Sequence, residues 1–64
     1  MNQIQLKDYL FGAREELGKK VLDKPERWFF PVASLPDEAK PLLNPERTGV
    51  FIIERPDGKW DISI

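Results

Sequence analysis

Leu6, Leu10, Ala13, Leu17 and Val21 recur at spacings of three and four, with Tyr9 beside them. That is the period of an amphipathic helix, and it predicts one from Leu6 to about Leu22. Arg14, Glu15, Glu16, Lys19 and Lys20 fall largely elsewhere on the cylinder. Glu15 to Lys19 and Glu16 to Lys20 are i,i+4 pairs in the favourable order, and Lys19, Lys20 and Lys24 suit the negative end of the dipole. Pro25 marks the latest stop, because the residue before a proline is pushed out of the α region. Gly12 and Gly18 each cost about 1 kcal/mol against alanine inside a helix. Gly18 is therefore an alternative terminus, one turn earlier. A second apolar line, Ile4, Phe11 and Leu22, lies on nearly the opposite side. It belongs either to frayed ends folding over a sheet or to a face for a partner, with Gly18 allowing close approach.

The period then changes. Arg27-Trp28-Phe29-Phe30-Pro31-Val32-Ala33 is dense in aromatic and β-branched types and reads as a strand. Pro31 lacks an N–H, so the expectation is an edge strand, or a bulge at Pro31. Ser34-Leu35-Pro36-Asp37-Glu38 reads as a helix start, with Ser34 as cap, Pro36 in the first turn and two acids at the positive end of the dipole. Pro41 and Asn44-Pro45 keep that helix short, with Leu42 and Leu43 tucked under it.

Gly49 to Ile64 reads as a β-hairpin around Arg55-Pro56-Asp57-Gly58. A two-residue turn at Asp57-Gly58 would put Pro56 where a backbone N–H is needed. A type I turn with Pro56 at its second position and Gly58 in a left-handed bulge has no such conflict and is favoured. In that register Glu54 opposes Trp60, Ile52 opposes Ile62 and Val50 opposes Ile64. Trp60 then belongs beneath the first helix, against Leu10, Ala13 or Leu17. Phe51 and Ile53 point to the other face, either open or covered by the short helix and the loop of the 40s. Of Trp28, Phe29 and Phe30, alternation sends Phe29 opposite its neighbours.

Pro-Glu-Arg occurs at residues 25–27 and again at 45–47, with Pro-Asp at 36–37 and 56–57. The stretches between do not match, so these are similar local solutions rather than a repeat. The architecture expected is a single α+β domain over residues 1–64, with a long N-terminal helix on a small antiparallel sheet and a short connecting helix. The order helix, strand, short helix, hairpin is similar to that of a winged-helix domain. About a dozen residues between strand and hairpin leave no room for a recognition helix.

Composition narrows the function. The 64 residues include no Cys and no His, so neither a disulfide nor a zinc site is expected. The commonest general base and the most reactive nucleophile are missing with them. The four glycines are scattered and form no phosphate loop. Glu15 and Glu16 point apart on a helix, and Asp57 and Asp61 flank a turn, which reads as solvated surface. No enzyme and no cofactor are expected. No stretch approaches 18 apolar residues, and the N-terminus lacks a basic region followed by an apolar one, so neither a membrane span nor a signal peptide is expected. Absence of cysteine fits a reducing cytoplasm.

Net charge is −1, without the basic excess usual for a nucleic-acid binder. Two Trp, one Tyr and four Phe leave more aromatic surface than one sheet face holds. The reading is a non-catalytic adaptor, inhibitor or accessory subunit that binds a protein partner or a second copy of itself. The candidate surface is Phe51, Ile53, Phe29, Trp28, Phe11 and Leu22, because aromatic types are enriched at interfaces. The alternative is a nucleic-acid-binding module using Lys19, Lys20, Lys24, Arg27 and Trp28, where basic and aromatic residues interleave.

Overall fold

The computed structural model describes residues 1–64. Helix α1 spans Gln3–Gly12, and a single turn, α2, spans Arg14–Leu17. Four strands follow: β1 (Lys19–Asp23), β2 (Glu26–Pro31), β3 (Gly49–Glu54) and β4 (Trp60–Ser63). They form one antiparallel sheet in the order β1-β2-β3-β4. Two 3-10 segments, Val32–Ser34 and Asp37–Leu42, join β2 to β3. The long N-terminal helix on an antiparallel sheet, the short connecting helix and the C-terminal hairpin are all present.

The first helix is shorter than its periodicity predicts. Asn2 caps α1 reciprocally with Gln5: the Gln5 N–H donates to Asn2 Oδ1 and the Asn2 N–H to Gln5 Oε1, both at 2.9 Å. The helix breaks at Ala13, resumes for one turn, and ends at Gly18, which is extended. Residues 19–23 are a strand. Val21 continues the i,i+4 spacing from Leu17 only in sequence. Glu15 and Glu16 consequently have no helical partners in Lys19 and Lys20. Lys20 pairs instead with Asp23 at 3.3 Å and Glu26 at 3.7 Å. Steric need explains Gly18: a Cβ there would lie 2.8 Å from the Phe30 ring, which is fully buried.

With β1 in place, β2 is an interior strand, not an edge. Pro31 is tolerated because β1 reaches only as far as the Lys19–Phe29 pair. The proline sits beyond it, at the end of β2 opposite Gly49. Ser34 does not cap the next helix. It lies in its own 3-10 turn and donates to the Pro31 carbonyl at 2.7 Å, and Pro36 precedes the Asp37–Leu42 segment.

The hairpin adopts the favoured register, with Glu54 opposite Trp60 and Ile52 opposite Ile62. The Gly58 N–H donates to the Arg55 carbonyl at 3.0 Å, and the Arg55 N–H to the Lys59 carbonyl at 2.7 Å. Gly58 has φ +85°, the left-handed value of the bulge. A Cβ there would meet nothing within 4 Å, so Gly58→Ala carries only the backbone penalty. Urea titration is expected to show a loss of about 1 kcal/mol. An unchanged midpoint would contradict this turn.

The core is Leu6 and Leu10 of α1, Trp28 and Phe30 of β2, Val50 and Ile52 of β3, and Leu35 and Ala39 of the connection. Phe11, Leu17, Leu42, Leu43, Trp60, Ile62 and Ile64 pack around it. Trp60 is half-buried at the margin, edge-on to Phe11 with ring centres 5.0 Å apart. It faces the helix side as expected, but its aromatic partner is Phe11. Ile4, Phe11 and Leu22 are not one helical line, since Leu22 lies on β1.

Candidate functional site

Strand alternation divides the sheet into two faces. Trp28, Phe30, Val50, Ile52, Trp60 and Ile62 face the helix. The outer face carries two cross-strand rows. The first is Leu22, Arg27, Ile53 and Asp61, and the second is Lys19, Phe29, Phe51 and Ser63. The buried residues of α1 and of the Asp37–Leu42 segment join the inner cluster, on the side of the sheet opposite these rows.

Phe29 and Phe51, on the two central strands, meet at 4.9 Å with their planes tilted by 52°. The Arg27 guanidinium lies 5.2 Å from the Phe51 ring centre. Gly49 makes the arrangement possible. A Cβ there would stand 2.5 Å from the Phe29 ring and collide with the Phe30 carbonyl, so only a glycine lets the ring rest on the β3 backbone. Phe29, Phe51 and Ile53 are half-buried, while Val21 and Leu22 on β1 are 43% and 44% exposed. A half-buried aromatic pair with exposed apolar residues beside it is more informative than single exposed apolar residues.

Charges divide the face along the strands. At one end Lys19 lies on β1, and the Arg47 Nη2 donates to Ser63 Oγ at 3.4 Å. Lys19, Arg27 and Arg47 make no ion pair within the chain. At the hairpin end Arg55 holds Asp57 at 3.4 Å and Asp61 at 3.3 Å. The Asp61 side chain remains 53% exposed, with acceptor capacity to spare.

Of the residues singled out in the sequence, Phe51, Ile53, Phe29 and Leu22 share this face. Trp28 does not: it points inward at 9% exposure, between Lys20 and Arg14, whose charged groups lie 5.9 Å from its ring. Phe11 lies on the helix side, its ring 4.1 Å from the Arg14 guanidinium. The basic set is likewise divided. Lys19 and Arg27 are on the outer face, Lys20 is on the helix side in ion pairs, and Lys24 is in the β1–β2 turn. Asp61 follows from the hairpin register, which sets it opposite Ile53, whereas Arg47 gave no sign in sequence of bordering the outer face, because its approach to Ser63 depends on how the chain before β3 is placed.

A broad open groove between the two strand turns is lined by Asp23, Glu26, Glu54, Arg55 and Asp61, among others. Its acids are engaged: Asp61 with Arg55, Asp23 and Glu26 with Lys20, and Glu54 accepting the Glu26 N–H at 3.4 Å. No group of three or more Asp or Glu side chains is placed to hold a metal ion. No helix is long and apolar enough to cross a membrane. No family model, curated protein or solved structure matches the chain.

Proposed function

We propose that the chain is a non-catalytic protein-interaction domain, an adaptor, inhibitor or accessory subunit of the cytoplasm, and that it binds through the outer face of its sheet. One observation carries this reading: the Phe29–Phe51 pair, with Ile53 and Leu22 beside it, lies on the sheet face opposite the one that packs on the helix and the core. Apolar clusters left open on a small domain mark interaction surfaces. An arginine stacked on the cluster adds a residue type enriched at the centre of interfaces. The missing histidine and cysteine, together with acids already engaged in ion pairs and hydrogen bonds, support a binding role over a catalytic one.

Phe51→Ser with Ile53→Thr tests it. Both side chains lie outside the core cluster, so the double variant is expected to melt cooperatively near the wild-type temperature. It is also expected to lose association in a pull-down or a sedimentation run. If the variant folds and binds everything the wild type binds, the outer face is not the binding surface. Association that weakens steeply with salt and is competed by single-stranded nucleic acid would favour the basic residues Lys19 and Arg27 instead.

A further inference from the structure

We infer that the outer face pairs with the same face of a second copy of this chain, the two sheets stacked with their strands antiparallel. This rests on the reading of that face as the binding surface and adds the identity of the occupant.

Only nine of the 64 residues are buried, and neither a disulfide nor a metal supplements them. Self-association is one way a chain of this size buries further apolar surface. A two-fold contact requires a patch that complements itself, and the two outer rows meet that requirement in one orientation. An axis in the plane between the sheets, perpendicular to the strands and midway between the rows, lays each row of one copy over the other row of its mate.

Arg27 then lies over the second copy's Phe29, a guanidinium on an aromatic face. Ile53 lies over the second copy's Phe51. Leu22 meets the aliphatic stem of the second copy's Lys19. Asp61 comes to the second copy's Ser63, where Arg47 is already anchored at 3.4 Å. Every such contact occurs twice. The other face-to-face orientation, with the axis along the strands, stacks Phe29 on the second copy's Phe51, but it puts Leu22 over Asp61 and brings Lys19 to the Arg47 end of its mate. The charges thus select the antiparallel stack. Aligned packing of sheets about 10 Å apart is the ordinary geometry of a β-sandwich.

Size sets the strength. Four strands about 4.8 Å apart and about 14–20 Å long give roughly 300–400 Å² per copy. The total is below the roughly 1,000 Å² of a stable interface, so the dimer is weak, with Kd on the order of 100 µM.

Sedimentation equilibrium of the whole chain from about 10 µM to about 1 mM is the test. A reversible monomer–dimer equilibrium is expected. Arg47→Glu alone and Asp61→Lys alone should each weaken it about tenfold, because each variant dimer holds two like-charge contacts. An equimolar mixture of the two variants should recover dimer, since every swapped charge then meets its opposite. Recovery in the mixture is specific to a second copy in this orientation. A wild-type chain that stays monomeric at about 1 mM, or a mixture no better than its components, overturns the inference. A monomer that loses a different protein through Phe51→Ser with Ile53→Thr also overturns it, yet leaves the interaction reading standing. A monomer whose double variant still binds everything removes both.

Discussion

Phe30→Ala is expected to leave the chain largely unfolded at 25 °C. Phe30 is fully buried on an interior strand, at the centre of the cluster formed with Leu6, Leu10, Val50 and Ile52. Its ring also supports the chain where α2 gives way to β1, with Gly18 close enough to exclude a Cβ. Truncating a buried phenylalanine costs about 3–5 kcal/mol, because neighbours collapse only partly into the space. A 64-residue domain has only about 3–10 kcal/mol of stability in all. Circular dichroism and urea titration would show a lost or much-reduced transition. A variant that retained its midpoint would mean the core lies elsewhere. The neighbouring Phe29 makes a useful contrast, since its ring faces outward and its truncation leaves this cluster intact.

The second large effect is expected at Leu10. Helix α1 buries only Leu6 and Leu10 completely, so it is held to the sheet at few points. Leu10→Ala should cost about 2–5 kcal/mol, and the loss should be concentrated in the helix. Phe11, the next residue, packs on Trp60 at 5.0 Å, so undocking α1 uncovers that indole. The measurements are helical ellipticity and tryptophan fluorescence followed through the same urea titration. Loss of both signals with little change in midpoint would show α1 to be an accessory element rather than part of the cooperative unit. Unchanged signals would mean the helix is held by contacts other than Leu10.

What was legible in the sequence depended on how local each determinant was. The hairpin register follows from Arg55 to Gly58 alone: proline fixes one dihedral, glycine supplies another, and strand alternation does the rest. The outward direction of Phe51 and Ile53 follows from that register. Strand β1 was hidden because all five of its residues are exposed, so no buried alternation marks it. Leu17 and Val21 also keep helical spacing across the break. Once β1 is missed, β2 becomes an edge, and Pro31 is explained by the wrong neighbour. Trp28 was misplaced as a surface residue for a related reason. A run of three aromatics gives no indication of which face is covered until the sheet is assembled. The Lys19, Arg27, Arg47 and Asp61 pattern is less local still, since it involves four separate segments brought together by strand order.

The irregularity at Val21 bears on how copies of this molecule can add to one another. Lys20 opposes Trp28 and Leu22 opposes Arg27, so Val21 is an extra residue in the ladder. Strand β1 is a free border of the sheet and β4 is the other. Joining the β1 border of one molecule to the β4 border of the next would generate an unending ribbon, because that contact is heterologous and does not close. The extra residue bends the β1 border and interrupts the even row of amides that such growth needs, and Lys19 and Lys20, which precede it, oppose a neighbouring strand by charge and solvation. Stacking through the broad faces ends at two molecules. A chain with this much uncovered apolar surface therefore has a finite way to satisfy it, and its sheet border disfavours the polymeric one.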